Sequence, residues 1–434
     1  MSIVEELFPL HRTLVADGTD QALEVLRRSL AGIPYDIENY APGAPAWTWR
    51  VPDRYSVREA YLETQDGERI VDFADSALHL VSYSEPVDRV LSWAELETHL
   101  HVAPQRPGAI PWEFRYYERT WGFCLSKHAF DALPRDQMYH AVIASEFGRD
   151  PERGLRVGLA TVEPDGGADG DGGEFIVCAH ICHPRQANDD LSGVASAVAV
   201  ARALAQRPLL PGSMTVRFLF CPETIGSICF LSHNEELIPR LRGGIFSEMT
   251  GNANSLVLQR TRQDSHRLDA VARHVLAMRA PEFREGAFRE VIVNDEMVIN
   301  GPGVDVPCIS ISRWPYPEYH TSDDTPAIIN EERLVEAAHV IEDIIRIYAT
   351  DYVPRRTFRG PVFLSRYGLW VDWRTHPKLN AALDKIMLRL EGDRSVFDIA
   401  AEVDVDYWTV REFVERLRSE GLIEVLPPPP RPSE

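Results

Sequence analysis

Apolar residues recur every three or four positions near the start of the chain, as in Leu23, Leu26 and Leu30, and predict two amphipathic helices within residues 3–31. From about residue 47 to 102 the period drops to two. EAYLETQDGERIVDF and ALHLVSYS alternate apolar and polar positions around an Asp66-Gly67 hairpin turn, which predicts a small β-rich module. Residues 106–121, RPGAIPWEFRYYERTW, are dense in Pro and aromatic side chains and read as a packed connector whose rings fill core. From residue 139 strands at 140–145, 157–162, 174–179, 215–221, 244–249 and 308–312 alternate with helical stretches, notably 191–205 and 265–280. That alternation predicts an α/β sandwich on a largely parallel or mixed sheet. The stretch EPDGGADGDGGE at 163–174 lacks the Asp spacing and flanking helices of an EF-hand, so a hairpin tip is expected there rather than a calcium site.

After residue 351 comes a Pro-bearing connector, a helical run at 379–390, and then two short helices, a turn, a longer helix and a terminal LIEVL strand, the order of a winged-helix module. Residues 393–424 of it carry nine acidic and four basic side chains, so a structural or docking role is expected rather than contact with phosphates. The Pro-rich tail from Pro427 is expected to be disordered. The division that follows is N-terminal helices at 1–45 belonging to the main domain, an inserted β-rich domain at 46–130, the catalytic domain at 131–352 and the winged helix at 353–428.

A formal net charge of −21 disfavours nucleic acid and anionic membranes as partners. No apolar stretch approaches the ~20 residues of a bilayer span. The N-terminus shows no signal peptide, and none of the six cysteines forms a C-x-x-C pair. A soluble cytoplasmic protein with reduced thiols is therefore expected, and a homo-oligomer is left open.

Candidate chemistry gathers where strands should end. The apolar run before His180 reads as a buried strand. His183 follows three residues later, and Asn188-Asp189-Asp190 precedes the next helix. Imidazole at a strand end and carboxylate at the following helix start face one crevice in an open α/β sheet, and the pair suits a zinc-type cation. Glu223 sits just past the strand TVRFLFC, where an apolar setting could raise its pKa and make it a general base. Glu248 ends the strand GGIFS and needs a cationic partner in so apolar a run. His320 follows the strand CISIS, with Asp323 and Asp324 behind it to orient the ring. The loop bearing Asp295 and Glu296 could approach the same crevice. Two imidazoles and three carboxylates form the ligand inventory of a hydrolase with one or two zinc ions.

These segments carry a resemblance. ANDDLSG is similar to the ANDNASG-type turn of the M28 zinc aminopeptidases, HTSDDTP to their HT-x-x-D segment and SEMTG to their L-D-M-x-G segment. HLHVAPQRPGAIPWEFRYYERTWGFCLS, HICHPRQANDDLSG, PETIGSI, PGVDVPCISISR and YPEYHTS resemble more closely a bacterial aminopeptidase-like branch, the DUF4910/DUF2172 type, which also ends in a winged helix. The resemblance implies a zinc-aminopeptidase-like α/β/α sandwich with the β-rich insertion. It implies His180, Asp189 and Glu248 around one metal, Asp189 and His320 around a second, and Glu223 as general base. His183, Asp295, Glu296 and Tyr319 are then the residues expected to meet substrate. The chain departs from the M28 pattern in having Thr224 after Glu223 where a second Glu stands, and Cys182 two residues after His180 where an Asp stands; His183 could compensate as a ligand, and a single zinc, or a weakly occupied second site, is the other expectation. The expected activity is hydrolysis of an amide bond in a peptide or small amidated metabolite. The alternatives are single-zinc acyl transfer of the glutaminyl-cyclase type and a scaffold that has lost catalysis.

Overall fold

The computed structural model describes residues 1–167 and 172–426. The centre of the 163–174 loop and the Pro-rich tail lie outside the described residues. Contacts within the chain divide it into two units, Met1–Asp269 with Glu282–Glu342 and Ala270–Pro281 with Asp343–Glu434.

The first unit is built on an eight-stranded mixed sheet. Its order is Tyr35–Tyr40, Leu155–Val162, Thr215–Cys221, Glu174–His180, Leu241–Ser247, Cys308–Ser312, Val257–Gln259 and Arg284–Gly286. The four central strands run parallel, so the carboxyl ends of all four lie along one edge. Every residue of Glu174–His180 is buried, the pattern of a strand covered on both faces, which is why it reads as a continuous apolar run. The next strand in sequence, Thr215–Cys221, pairs on one side of it, and Leu241–Ser247 on the other. The chain thus reverses its direction of travel beside Glu174–His180, and such a switch point opens a crevice at the strand's carboxyl end. His180 is the last residue of that strand.

A separate four-stranded antiparallel sheet joins Arg69–Asp72, Arg54–Thr64, Met138–Gly148 and Val87–Ser92. The expected strand at 140–145 belongs here and not to the large sheet. Its burial alternates along the strand, as one wetted face demands, whereas the central strands of the large sheet are buried throughout. The outer strands Tyr35–Tyr40 and Arg284–Gly286, and Val257–Gln259 next to the latter, were not among the expected elements. They are short or rich in polar residues, and their place is set by the neighbours they pair with.

The second unit holds the helices Pro377–Leu388, Val396–Val403 and Tyr407–Ser419, and Val353–Arg356 paired antiparallel with Ile423–Leu426. Ser395 and Asp398 form a capping box, and the Asp406 carboxylate accepts the Thr409 N–H at 2.9 Å, so each of the last two helices begins on its own sequence signal. Among the described residues no helix is long and apolar enough to cross a membrane.

Candidate functional site

Three strand ends deliver side chains to the crevice: His180 closes its strand, Glu223 lies two residues past Cys221, and Glu248 directly follows Ser247. Asp189 arrives on a wide π-type turn, Ala187–Ser192, in which it alone leaves the helical region (φ −102°, ψ 92°). The turn is fastened from below. The Asp324 carboxylate accepts the N–H groups of Ala187 (3.2 Å), Asn188 (2.6 Å) and Asp189 (3.0 Å). The Asn188 side-chain oxygen accepts the Gly251 N–H at 2.9 Å. Gly193 makes the final approach possible, because a Cβ there would lie 2.2 Å from the Ser247 carbonyl oxygen. Glycine at that position lets the helix start abut the strand carrying Glu248, and so brings Asp189 and Glu248 together.

His180 Nε2 lies 3.4 Å from both Asp189 Oδ1 and Glu248 Oε2. On the other side, His320 Nε2 is 3.1 Å from Asp189 Oδ2, and His183 Nδ1 is 3.2 Å from Asp189 Oδ1. His183 Nε2 reaches Glu223 Oε2 at 2.9 Å. Two sets that could hold an ion share Asp189, His180 with Asp189 and Glu248, and His183 with Asp189 and His320, and a further set beside them joins His180, His183 and Glu223 to Cys182. Donors about 2.0–2.1 Å from a tetrahedral zinc stand about 3.3 Å from each other, the spacing found here. Several of the atoms are also orphaned. Asp189 Oδ2, His183 Nδ1 and His320 Nε2 are buried without a hydrogen-bond partner, although each has a complementary polar atom within 3.2 Å. Atoms so close yet misaligned for bonding one another point at a shared third position. The residues present therefore fit a zinc-type cation.

Burial alone would raise the Glu223 carboxyl, as expected from the sequence, but His183 outweighs it and holds the group below its ordinary value. Burial drives the Glu248 carboxyl up to about 7 against the opposing pull of His180. Burial also disfavours ionised Asp189, but His183, His320 and His180 outweigh it and hold the group well below the usual carboxylate range. Burial lowers His180 and His183, and the surrounding carboxylates more than reverse this, so both rings are held well above the usual imidazole value. The crevice gathers more negative charge than its fixed cations neutralise, and protons on the imidazoles make up the difference; a divalent cation would serve the same purpose.

Other expected residues stand elsewhere. Asp295 and Glu296, expected to meet substrate, are wholly buried and face inward. Asp295 accepts the Thr224 N–H at 3.0 Å and the Ser227 hydroxyl, while Glu296 accepts the Gln259 side-chain amide at 3.0 Å and the Asn294 N–H at 3.1 Å. Asn294 is the member of that loop that reaches the site, donating to Glu248 Oε2 at 2.5 Å. Of the pair expected to orient His320, Asp324 holds the Asp189 turn instead, and Asp323 bonds Arg106 at 2.8 Å. Tyr319 stacks on the His320 ring at 3.7 Å, and burial together with Asp189, Glu223 and Glu248 raises its phenol.

The aromatic connector fills core only in part. The Trp112 ring lies 4.2 Å from His183 and 4.6 Å from His320, and the Trp112 backbone N–H donates to the His320 carbonyl at 2.8 Å. Beyond it, Phe114, Tyr116 and Tyr117 join Trp49 around a cavity of about 650 Å³ whose floor includes Glu223 and Thr224. Thr224 and His320 both hold positive φ (60° and 53°), conformations that cost a side-chain-bearing residue energy and persist where neighbours fix them, here the bonds from Asp295 and Trp112. Sequence reasoning also passed over Arg12, a wholly buried guanidinium bonded to Asp190 Oδ1 at 2.7 Å. Nothing near Arg12 in sequence signals this, since its partner lies 178 residues away.

The fold is that of an aminopeptidase-like α/β protein. The chain is similar to BSAP, a zinc aminopeptidase from Bacillus subtilis, with a TM-score of 0.61 over 80% of this chain and 94% of that one; at 14% identity this is a likeness of fold. A crystal structure from Clostridium acetobutylicum, named for a peptidase, gives a TM-score of 0.88 at 27% identity, covering 98% of this chain and 95% of that one. A relative in the same organism, named for polysaccharide biosynthesis and an aminopeptidase-like domain, is 31% identical over 98% of this chain and 96% of its own length. The chain belongs to the family described as "Domain of unknown function (DUF4910)", which matches residues 1–351.

Proposed function

We propose that the protein is a zinc-dependent amide hydrolase of the aminopeptidase type, acting on a peptide or a small amidated metabolite. The observation that carries this reading is the set of donors 3.1–3.4 Å apart around Asp189, of which Asp189 Oδ2, His183 Nδ1 and His320 Nε2 are buried with no hydrogen-bond partner. His180, Asp189 and Glu248 would hold one ion, and Asp189, His320 and His183 a second, His183 standing in where Thr224 offers no carboxylate. The chemistry a bound zinc supplies is Lewis-acid polarisation of a carbonyl and acidification of a water. The Glu223 carboxylate, steadied by its bond to His183 Nε2, takes the proton of the attacking water and delivers it to the leaving nitrogen. The Tyr319 phenol, set among the same carboxylates, donates to the carbonyl oxygen as charge builds on it. The aromatic cavity beside Glu223 receives the body of the substrate. We read residues 46–130 as the inserted domain that supplies part of that wall, and the second unit as a winged helix that docks a protein rather than nucleic acid.

The reading is tested by elemental analysis of the full chain. One or two zinc ions per chain, lost in Asp189→Ala, are expected, and the loaded protein should cleave some member of a panel of aminoacyl amides and amidated saccharide precursors. A wild-type chain that binds no zinc when zinc is supplied would leave a scaffold without this chemistry.

A further inference from the structure

We infer that Asp190, clamped by Arg12, is the positioning residue that turns His180 toward the metal, so that the N-terminal segment sets the metal affinity of the site. The inference rests on the metal reading above and extends it to residues outside the two donor sets.

Arg12 lies between the helices Ser2–Leu7 and Asp17–Ser29, and its side chain and that of Asp190 are both fully buried. Its guanidinium donates to the carbonyl oxygens of Ile181 (3.0 Å), His183 and Gln186 (3.3 Å) and to Asp190 Oδ1 (2.7 Å). One planar fork thus binds the segment 181–186, which carries His183 and leads from His180 to the acidic turn, at three points and that turn at a fourth. The other Asp190 oxygen faces the opposite way. Oδ2 accepts the His183 backbone N–H at 3.1 Å and lies 3.4 Å from His180 Nδ1, close enough to pair with it electrostatically but not aligned as a hydrogen bond. His180 therefore has its two nitrogens divided, Nδ1 toward Asp190 and Nε2 toward Asp189 and Glu248. A carboxylate behind a ligating imidazole fixes its ring plane and tautomer, and makes it a better ligand.

Cys182, two residues after His180, also lies close to that imidazole, and its sulfur accepts the Glu223 N–H at 3.1 Å; the carboxylate behind the ring is that of Asp190. A buried ion pair is in general a weak source of stability, since desolvation of both charges cancels most of the attraction. Orientation of the loop and ring is the role its geometry supports.

The test measures zinc affinity of the full chain by chelator competition for wild type, Asp190→Asn, Arg12→Met and Arg12→Lys, with unfolding midpoints recorded alongside. Asp190→Asn and Arg12→Met are each expected to weaken zinc binding roughly 10–100-fold, with the stoichiometry at saturating zinc unchanged. Arg12→Lys should recover part of the loss. The double variant Arg12→Met/Asp190→Asn should be no worse than the weaker single variant, because Arg12 acts through Asp190. The visible spectrum of the cobalt-loaded protein should shift in Asp190→Asn; a purely structural role would lower the midpoint and leave that spectrum alone. If Arg12→Met fails to fold, Asp190→Asn, which keeps the side-chain shape, carries the test. Wild-type affinity and an unchanged cobalt spectrum in Asp190→Asn would overturn the inference while leaving the metal reading in place. A wild-type chain that binds no zinc would overturn both.

Discussion

Two regions of the molecule carry almost the same tripeptide, Asn-Asp-Asp at 188–190 and Asn-Asp-Glu at 294–296, and bury both acidic doublets completely. Their neighbours differ. Asp189 stands among three imidazoles and Asp190 against Arg12, so both carboxyls are held below their ordinary range despite burial. Asp295 and Glu296 meet neutral donors, the Thr224 and Asn294 N–H groups, the Ser227 hydroxyl and the Gln259 amide. Burial prevails there and pushes them up to about 6 and about 8. A buried acid is a ligand or a neutral hydrogen-bonding strut according to whether cations or dipoles surround it, and the tripeptide itself does not decide which.

The sharpest way to break that comparison is to neutralise one acid of each doublet without changing its shape. Asp189→Asn removes the carboxylate shared by both donor sets, and zinc affinity should fall by at least about 10³-fold. Asp295→Asn should leave zinc affinity within about 3-fold of wild type, since its oxygen bonds only Thr224 and Ser227. Equal losses in chelator competition would erase the distinction between the two regions. Next in size, Glu223→Gln should keep zinc bound and lower kcat by roughly 10²–10⁴-fold; full turnover in that variant would remove Glu223 from the chemistry. Gly193→Ala tests the approach that joins the first doublet to Glu248. Its Cβ cannot fit beside the Ser247 carbonyl, so a loss of about 1–3 kcal/mol is expected in denaturant unfolding, with weaker zinc binding. An unshifted midpoint would mean the contact relaxes freely.

The same contrast explains what could be read from sequence. The central strands were legible because burial on both faces writes an unbroken apolar run, and their polar ends stand out against it. His180, Glu223, Glu248 and His320 were found that way, and the structure brings them to one crevice with Asp189. What failed was anything settled by a distant partner. The strand at 140–145 shows its alternation but not which sheet it joins. Asp295 and Glu296 look like Asp189 until Ser227 and Gln259 are seen to be their neighbours. Arg12 carries no local mark at all, because the groups that give it meaning come from residues 181–190.

The smallest effect is the most diagnostic of the second doublet. Burial raises the Glu296 carboxyl from 4.5 to about 8, so between those values the folded protein keeps a proton that the unfolded chain has released. When the folded state binds more protons, stability falls as pH rises. The stabilising contribution of the protonated group is thus complete below about 4.5 and is lost progressively as pH climbs through about 8. Glu296→Gln imitates the protonated side chain and does not titrate. Whatever constant offset the amide introduces against the Asn294 N–H, the stability difference between variant and wild type should move in favour of the variant by on the order of 1–4 kcal/mol from pH 5 to pH 9. Urea midpoints across that range give the slope directly. A parallel pair of curves would mean that Glu296 is ionised in the folded protein at neutral pH, and that a cation, as at Asp189, compensates it.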